Sequence, residues 1–197
     1  KGVAEKTIQK AEEKQTKYQA IDSLYFKFVK FGLSLNNALK LLKLWGSKAA
    51  DIIDENVYSL IHVDGFSFET IDRIGREYYK FSEDDGRRIE AYIIQVLKRA
   101  TNNGDCYLNL EGNNGLIQQA QRGLSVSDTL IRERIIELLD NHKLNKRLKG
   151  SQIVIYLPYI YKAESNVAAM VSTAVRKNSI VKESKVKELI EEYENTK

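Results

Sequence analysis

The stretch VDGFSFETIDRIG, residues 63–75, interrupts an apolar run with a glycine and then continues in a helical pattern. Its order of glycine, apolar residue and small residue occurs twice more, at Gly2-Val3-Ala4 and at Gly32-Leu33-Ser34. In all three copies, apolar residues follow the glycine at the same helical spacing. The copies are 30 and 33 residues apart. Such a near-constant spacing indicates one supersecondary unit that is used repeatedly.

Each copy is interpreted as two helices joined by a tight hairpin. The glycine permits an unusual backbone, the apolar residue fills the space between the helices, and the small residue begins the second helix. Backbone N–H groups and the positive end of that helix make a small concavity that suits an anion. A DNA phosphate fits there without any base being read. The alternative is a turn that only packs two helices, and three copies favour the helix-hairpin-helix interpretation.

The distribution of charge is more informative than the net charge of +4. Residues 25–50 contain five lysines and no acidic residue, and residues 141–158 contain four basic residues and no acidic one. The Gly65 copy is flanked by Asp64, Glu69 and Asp72, so the Gly32 copy is expected to make the better DNA contact and the Gly65 copy to be mainly architectural. The predicted DNA-binding residues are Lys27, Lys30, Gly32, Leu33, Ser34, Lys40, Lys43, Gly65, Ser67, Arg73, Arg76, Lys146, Arg147 and Lys149.

The sequence predicts a mainly α fold. Only one proline, Pro158, occurs in the chain. After Gly104 the pattern changes to a short strand, two helices and two strands around a basic turn, the element order of a winged helix. Four regions are predicted: 1–20 is the remnant of a preceding helix-hairpin-helix with a linking helix, 21–103 a tandem helix-hairpin-helix domain, 104–158 a winged-helix-like α/β unit, and 159–197 a C-terminal helical connector.

Several other functions find little support in the sequence. His62, His142 and Cys106 have no metal-ligand spacing, and the acidic run 83–85 suits the start of a helix better than catalysis. No catalytic or metal-binding residue is therefore predicted. The single cysteine is compatible with a reducing cytoplasm, and no apolar run approaches the roughly 20 residues of a membrane span.

Five segments together resemble the N-terminal region of RecD-like ATP-dependent DNA helicases. In chain order they are FGLSLNNALKLLKLWG (31–46), ENVYSLI (55–61), VDGFSFETIDRIG (63–75), GDCYL (104–108) and VIYLPYIYKAE (154–164). The resemblance runs from Gly2 to about residue 164. Ser34 and Ser67 stand where that family has the second glycine of the hairpin, and Val57 stands where it has proline.

The resemblance implies an accessory region of a superfamily 1 helicase that moves 5′ to 3′. The sequence contains no Gly-x-x-x-x-Gly-Lys-Ser/Thr loop, so ATP and Mg²⁺ are expected only in a motor outside this chain, and no cofactor is expected here. Because the chain begins at Lys1 and its only methionine is Met170, it is interpreted as an internal piece of a longer protein. The expected partners are DNA, single-stranded or at a junction with duplex, the motor domains, and other repair proteins, but no membrane.

Three hypotheses follow for function. The first is sequence-independent DNA binding through the hairpins and lysines. The second is a structural or protein-interaction module that orients the motor or a partner and has little DNA affinity. The third, a winged-helix regulator, requires a basic recognition helix, whereas residues 128–140 mix both charges. Tyr156, Tyr159 and Tyr161 are candidates for base stacking, although core and rim packing is the favoured interpretation.

Overall fold

The structure is a computed structural model that describes residues 2–178, 187, 190–192 and 195. Within these residues the α-helices are α1 (Gly2–Phe28), α2 (Leu35–Trp45), α3 (Ala49–Glu55), α4 (Phe68–Arg73), α5 (Gly86–Asn102), α6 (Leu116–Leu124), α7 (Asp128–Asp140) and α8 (Pro158–Asn178). Short 3₁₀ helices span Val29–Phe31, Gly46–Lys48 and Val57–His62, and a π turn spans Ile74–Tyr78. Most of the predicted charged end of the C-terminal connector lies outside the described residues.

The first helix is longer than the sequence pattern indicates. The predicted boundary between the linking helix of residues 1–20 and the domain of residues 21–103 falls inside α1, which is continuous. No glycine or proline interrupts residues 3–31, so nothing in the backbone requires a break. Burial begins only at Ile21 and includes Leu24 and Phe28. The first glycine copy, Gly2-Val3-Ala4, lies within this helix, whereas the other two copies are turns.

The core is built around α5, which packs against α6, α7 and the 3₁₀ helix Val57–His62. Its apolar residues recur at helical spacing, and Ile89, Ile93, Val96 and Leu97 are all buried. On the other side of the hairpins, α2 packs against α1 through Ala38 and Leu41. One apolar core therefore continues from the hairpins into the second half of the chain.

A small antiparallel sheet follows α5. It consists of β1 (Leu108–Asn109), β2 (Asn145–Lys149) and β3 (Gln152–Tyr156), with β3 in the middle. Both α6 and α7 lie between β1 and β2 along the chain. The prediction of a mainly helical protein with a small sheet is confirmed. None of the helices among the described residues is long and apolar enough to span a membrane.

Candidate nucleic-acid interface

The first hairpin turns at Gly32, where the backbone enters the left-handed region with φ of +90°. The N–H groups of Gly32 and Leu33 donate to Val29 O at 3.0 Å and Phe28 O at 3.3 Å, which ends the preceding helix. The Leu33 side chain is buried between the helices, and the Ser34 hydroxyl accepts the Asn37 N–H at 3.1 Å. This serine is therefore the N-cap of α2.

The second hairpin repeats this geometry at Gly65, whose φ is +95°. Ser67 caps α4 by accepting the Thr70 N–H at 3.2 Å, and Phe66 is partly buried against the core. The two serines that stand in place of glycine thus have the same local role. They satisfy one exposed N–H at the start of the second helix of each hairpin.

Internal hydrogen bonds decide which N–H groups of the first hairpin face outward. The sequence predicted donors over Gly32–Ser34, but the N–H groups of Gly32 and Leu33 bond to carbonyls of the hairpin itself. The geometry of an α-helix leaves its first N–H groups without an intrahelical acceptor. Since Ser34 takes the Asn37 N–H, the donors that remain at the start of α2 include those of Leu35 and Asn36.

Each hairpin receives a basic side chain from the other one. Arg73, in α4, donates from Nη2 to Phe31 O at 2.6 Å, immediately before Gly32. Lys40, in α2, donates from Nζ to Asp64 O at 3.3 Å, immediately before Gly65. Each cation stands eight residues after the glycine of its own hairpin. Each carbonyl acceptor belongs to the residue directly before the glycine of the opposite hairpin. The hairpins are thus cross-linked reciprocally, with one cation at each turn.

The remaining basic residues near the hairpins differ in how far they are neutralised. Lys27 pairs with Asp54 of α3, which also accepts the Tyr79 hydroxyl; burial opposes ionisation of Asp54, but these two hydrogen bonds prevail and lower its pKa. Arg76 pairs with Glu83 at 2.8 Å. Lys30 and Lys43 are exposed, and neither has an acidic partner among the described residues.

Two of the three acidic flanks of the second hairpin, Glu69 and Asp72, have partners of their own. Glu69 pairs with Arg99 at 2.8 Å, and Asp72 pairs with Arg88 at 2.8 Å. The pKa of Glu69 is lowered, mainly by a hydrogen bond from its own backbone, with Ser67 and Arg99 contributing. The repulsion of a phosphate that the sequence suggested at Gly65 is therefore weaker than the bare count of acids implies.

The basic residues predicted within residues 104–158 lie on β2 itself. The last of them, Lys149, directly precedes the turn at Gly150. Lys149 donates to the Tyr107 hydroxyl, and the Arg147 guanidinium lies 5.1 Å from the centre of the Tyr161 ring. Lys146 is exposed and without an acidic partner in the part of the chain that the structure describes. It is the strand cation that is most available to a phosphate.

The arginines of α7 are already paired. Arg132 pairs with Asp128 at 2.7 Å and with Glu111, and Arg134 pairs with Glu137 at 2.6 Å. The pKa of Arg132 is raised by hydrogen bonds to Glu111 and then Asp128. These guanidinium groups already have carboxylate partners, so reading base edges in a major groove would require breaking surface ion pairs.

Tyr78 is a residue at this interface that the sequence did not single out. It lies beside Phe31, with 6.3 Å between ring centres, and is 39% exposed. Tyr78 ends the π turn Ile74–Tyr78, which the helical pattern of the sequence did not indicate. No group of three potential metal ligands occurs among the described residues.

Comparison with known proteins agrees with this arrangement of two cross-linked hairpins. Residues 17–107 match the family model described as the ATP-dependent RecD2 DNA helicase HHH domain, where HHH denotes helix-hairpin-helix. This part of the chain is similar to that domain family, which confirms the resemblance drawn from the sequence.

A relative of known name gives a similar result. The chain is 24% identical over 179 residues to the ATP-dependent RecD2 DNA helicase of Deinococcus radiodurans. The match covers 87% of this chain but 25% of the relative. The chain thus spans about a quarter of the length of the helicase that it matches.

Proposed function

We propose that this chain is a non-catalytic accessory region of a RecD2-like DNA helicase that binds the DNA backbone without sequence preference. The observation that carries this proposal is the reciprocal placement of Arg73 and Lys40 at the Gly32 and Gly65 turns. The match to the HHH domain of RecD2 helicases supports it. ATP and Mg²⁺ would be bound by a motor domain of the whole protein.

The proposed mechanism is electrostatic. The cation at each turn attracts one phosphate, and the N–H groups of Leu35 and Asn36 add donors at the start of α2. Lys30 and Lys43 extend the positive surface around the first hairpin. Contacts to phosphates position a protein on DNA but carry no sequence information, and the paired arginines of α7 offer no alternative reader of bases.

The finer domain assignment is also part of the proposal. Residues 1–20 are assigned to the remnant of a preceding hairpin unit, and residues 21–103 to the tandem helix-hairpin-helix domain. Residues 104–158 are assigned to a winged-helix-like unit, supported by two helices between β1 and β2 and by the central position of β3. Residues 159–197 are assigned to a connector toward the motor. Helix α8 forms the first part of this connector.

Binding at several salt concentrations tests the proposal. Fluorescence anisotropy of a labelled single strand, a matched duplex and a partial duplex would be followed from low to moderate salt. If about four phosphates are neutralised, the logarithm of the association constant falls with the logarithm of salt with a slope of roughly −3 to −4. Unlabelled DNA of unrelated sequence should compete equally. Binding that does not depend on salt, or that depends on sequence, would contradict the mechanism.

A second candidate function is a protein-interaction module that orients the motor or a partner. An apolar groove of about 220 Å³ between α7 and the sheet favours it; Ile136 and Ile153 line this groove and are 57% and 42% exposed. Leu148, which pairs with Ile153 across the hairpin, is 73% exposed. This function predicts negligible DNA affinity even at low salt. It also predicts that substitution of the lysines has no consequence.

A further inference from the structure

The backbone around Tyr78 departs from an ordinary helix. After α4 the chain continues into the π turn Ile74–Tyr78, in which the Tyr79 N–H donates to Ile74 O at 3.2 Å. The Phe81 N–H then bonds to Gly75 O at 3.0 Å, and Lys80 has a φ of +59°. A π turn contains more residues than an α turn, so it changes the direction of the side chains that follow. Such turns are frequent at functional sites.

The ring of Tyr78 is held by its neighbours and yet remains accessible. It meets three other rings edge to face, with centre distances of 5.5 Å to Phe28, 6.3 Å to Phe31 and 4.9 Å to Tyr79. These contacts restrain the ring without enclosing it, since 39% of the residue is exposed. An aromatic ring that is held in this way loses little conformational entropy when another flat ring stacks on it.

A free cation accompanies the exposed ring. The Lys30 Nζ lies 5.6 Å from the centre of the Tyr78 ring and 4.9 Å from that of Phe31. Lys27 lies 5.4 Å from the same tyrosine ring, but its charge is neutralised by Asp54. Among the described residues, Lys30 has no acidic partner, so its charge is available to a ligand. Phe31 precedes Gly32 directly and also accepts the hydrogen bond from Arg73.

We propose that Tyr78 and Lys30 form a stacking site for an unpaired base, adjacent to the phosphate site at the Gly32 turn. The combination of an aromatic ring for a base and a cation for its phosphate is how proteins hold single strands without reading sequence. A base inside a duplex has both faces covered by its stacked neighbours, so the site favours a single strand or the single-stranded side of a junction. This inference rests on the proposed function and assigns a strand preference to it.

The test compares Tyr78→Leu with Tyr78→Phe and, as a matched control, with Tyr18→Leu, which removes another exposed tyrosine. Each variant of the full chain is titrated with a labelled oligothymidine and a duplex of the same length at one low salt concentration. Tyr78→Leu should weaken single-strand binding about fivefold or more, the lower range of base–aromatic stacking, and leave duplex binding unchanged. Tyr78→Phe, which keeps the ring, and Tyr18→Leu should bind like the wild type.

A second readout guards against a general loss of structure. An oligonucleotide that contains 2-aminopurine should lose fluorescence on binding to the wild type and to Tyr78→Phe, but much less on binding to Tyr78→Leu. If Tyr78→Leu binds single strand and duplex in the wild-type ratio, the stacking site is wrong while the hairpin function stands. If the wild type binds neither DNA, the proposed function and the stacking site both fail.

Discussion

At the scale of single residues, the two hairpins depend on glycines that occupy the left-handed region of the backbone. An added Cβ at Gly32 would meet only Arg73 Nη2, at 3.9 Å, which is an ordinary contact. At Gly65 the nearest atom would be Lys40 Nζ, at 3.2 Å, the movable end of a long side chain. Space is therefore not the main constraint at either turn. The constraint is the positive φ, which costs a non-glycine residue roughly 1–2 kcal/mol.

Substitution of the first hairpin glycine tests this reasoning. Gly32→Ala should lower the free energy of unfolding by about 1–2 kcal/mol, because alanine disfavours a φ of +90°. Gly32→Asn should cost less, since asparagine tolerates the left-handed region better. Urea denaturation of the two variants measures the difference. Equal losses in both would show that the Cβ atom itself clashes, contrary to the distances found.

The reciprocal cations lead to a second prediction at this scale. Lys40→Gln and Arg73→Gln should each weaken DNA binding and reduce the magnitude of the salt slope by about 1, because each removes one of the proposed phosphate contacts. Lys10→Gln is the control, since Lys10 lies roughly 27 Å along α1 from Phe28 at 1.5 Å per residue. Anisotropy at three salt concentrations measures the slopes. A Lys40 variant with the wild-type slope would assign that side chain to bracing alone.

At the scale of elements, several helix starts can be recognised in the sequence by their capping residues. Ser34, Ser67, Asp85 and Ser127 each cap a helix by accepting a backbone N–H. The interpretation of the acidic run 83–85 as a helix start is confirmed at Asp85. Its carboxylate accepts the Arg87 backbone N–H at 2.9 Å and the Arg87 guanidinium at 2.7 Å.

The cap of α5 leads to a pH-dependent prediction. The hydrogen bond from the Arg87 side chain lowers the pKa of Asp85 despite partial burial, and backbone N–H groups lower it further. A carboxyl with a depressed pKa contributes stability that is present above its unfolded value, near 4, and is lost as the pH falls through the folded value. Asp85→Ala should therefore cost about 1 kcal/mol at pH 7, and the difference from wild type should shrink below about pH 4.

Thermal unfolding between pH 3 and pH 7 measures this effect. Asp22→Ala is the matched control, because this carboxylate is exposed on α1 and does not cap a helix. A loss for Asp85→Ala that stays constant down to pH 3 would show that the charge of the cap contributes nothing. Asp85→Asn, which keeps an acceptor without a charge, would then behave like the wild type at every pH.

At the scale of the whole molecule, Arg88 connects the hairpins to the second unit. It is 7% exposed and donates to the Asp72 carboxylate at 2.8 Å and 3.2 Å. It also donates to Glu83 O at 2.8 Å and to Leu124 O, at the end of α6, at 3.3 Å. Asp72 further accepts the Tyr58 hydroxyl at 2.8 Å; burial and this hydrogen bond raise the pKa of Tyr58. One buried guanidinium thus joins α4, α5 and α6.

Removal of this connection should be among the costliest single changes. Arg88→Met should lower the free energy of unfolding by roughly 3 kcal/mol, because Asp72 then keeps a charge without its cation. In the double variant with Asp72→Asn, part of the loss should be recovered, since the uncompensated charge is gone. Urea denaturation of Arg88→Met, Asp72→Asn and the double variant measures the coupling between the two side chains. Additive losses would show that the two side chains act independently.

Much of the fold was accessible from the sequence because the responsible signals are local. The hairpin glycines, the capping serines and the apolar spacing of α5 act over one or two helical turns, so their consequences could be predicted without knowing the neighbours. The basic character of the first hairpin was accessible for the same reason. The π turn before Tyr78 was not, since the same letters are compatible with an ordinary helix and tertiary packing decides between the two.

By itself, the sequence determined the mainly helical fold, the positions of the Gly32 and Gly65 turns, and the resemblance to RecD-like helicases. Only the tertiary structure decided which cation serves which turn. Arg73 is near Gly65 in sequence but lies at Gly32, and Lys40 does the reverse. The tertiary structure also pairs Lys27 with Asp54, so a lysine from a stretch without acidic residues is neutralised. The physical reason is that electrostatic partners are chosen by distance in space, and the packing of helices sets that distance.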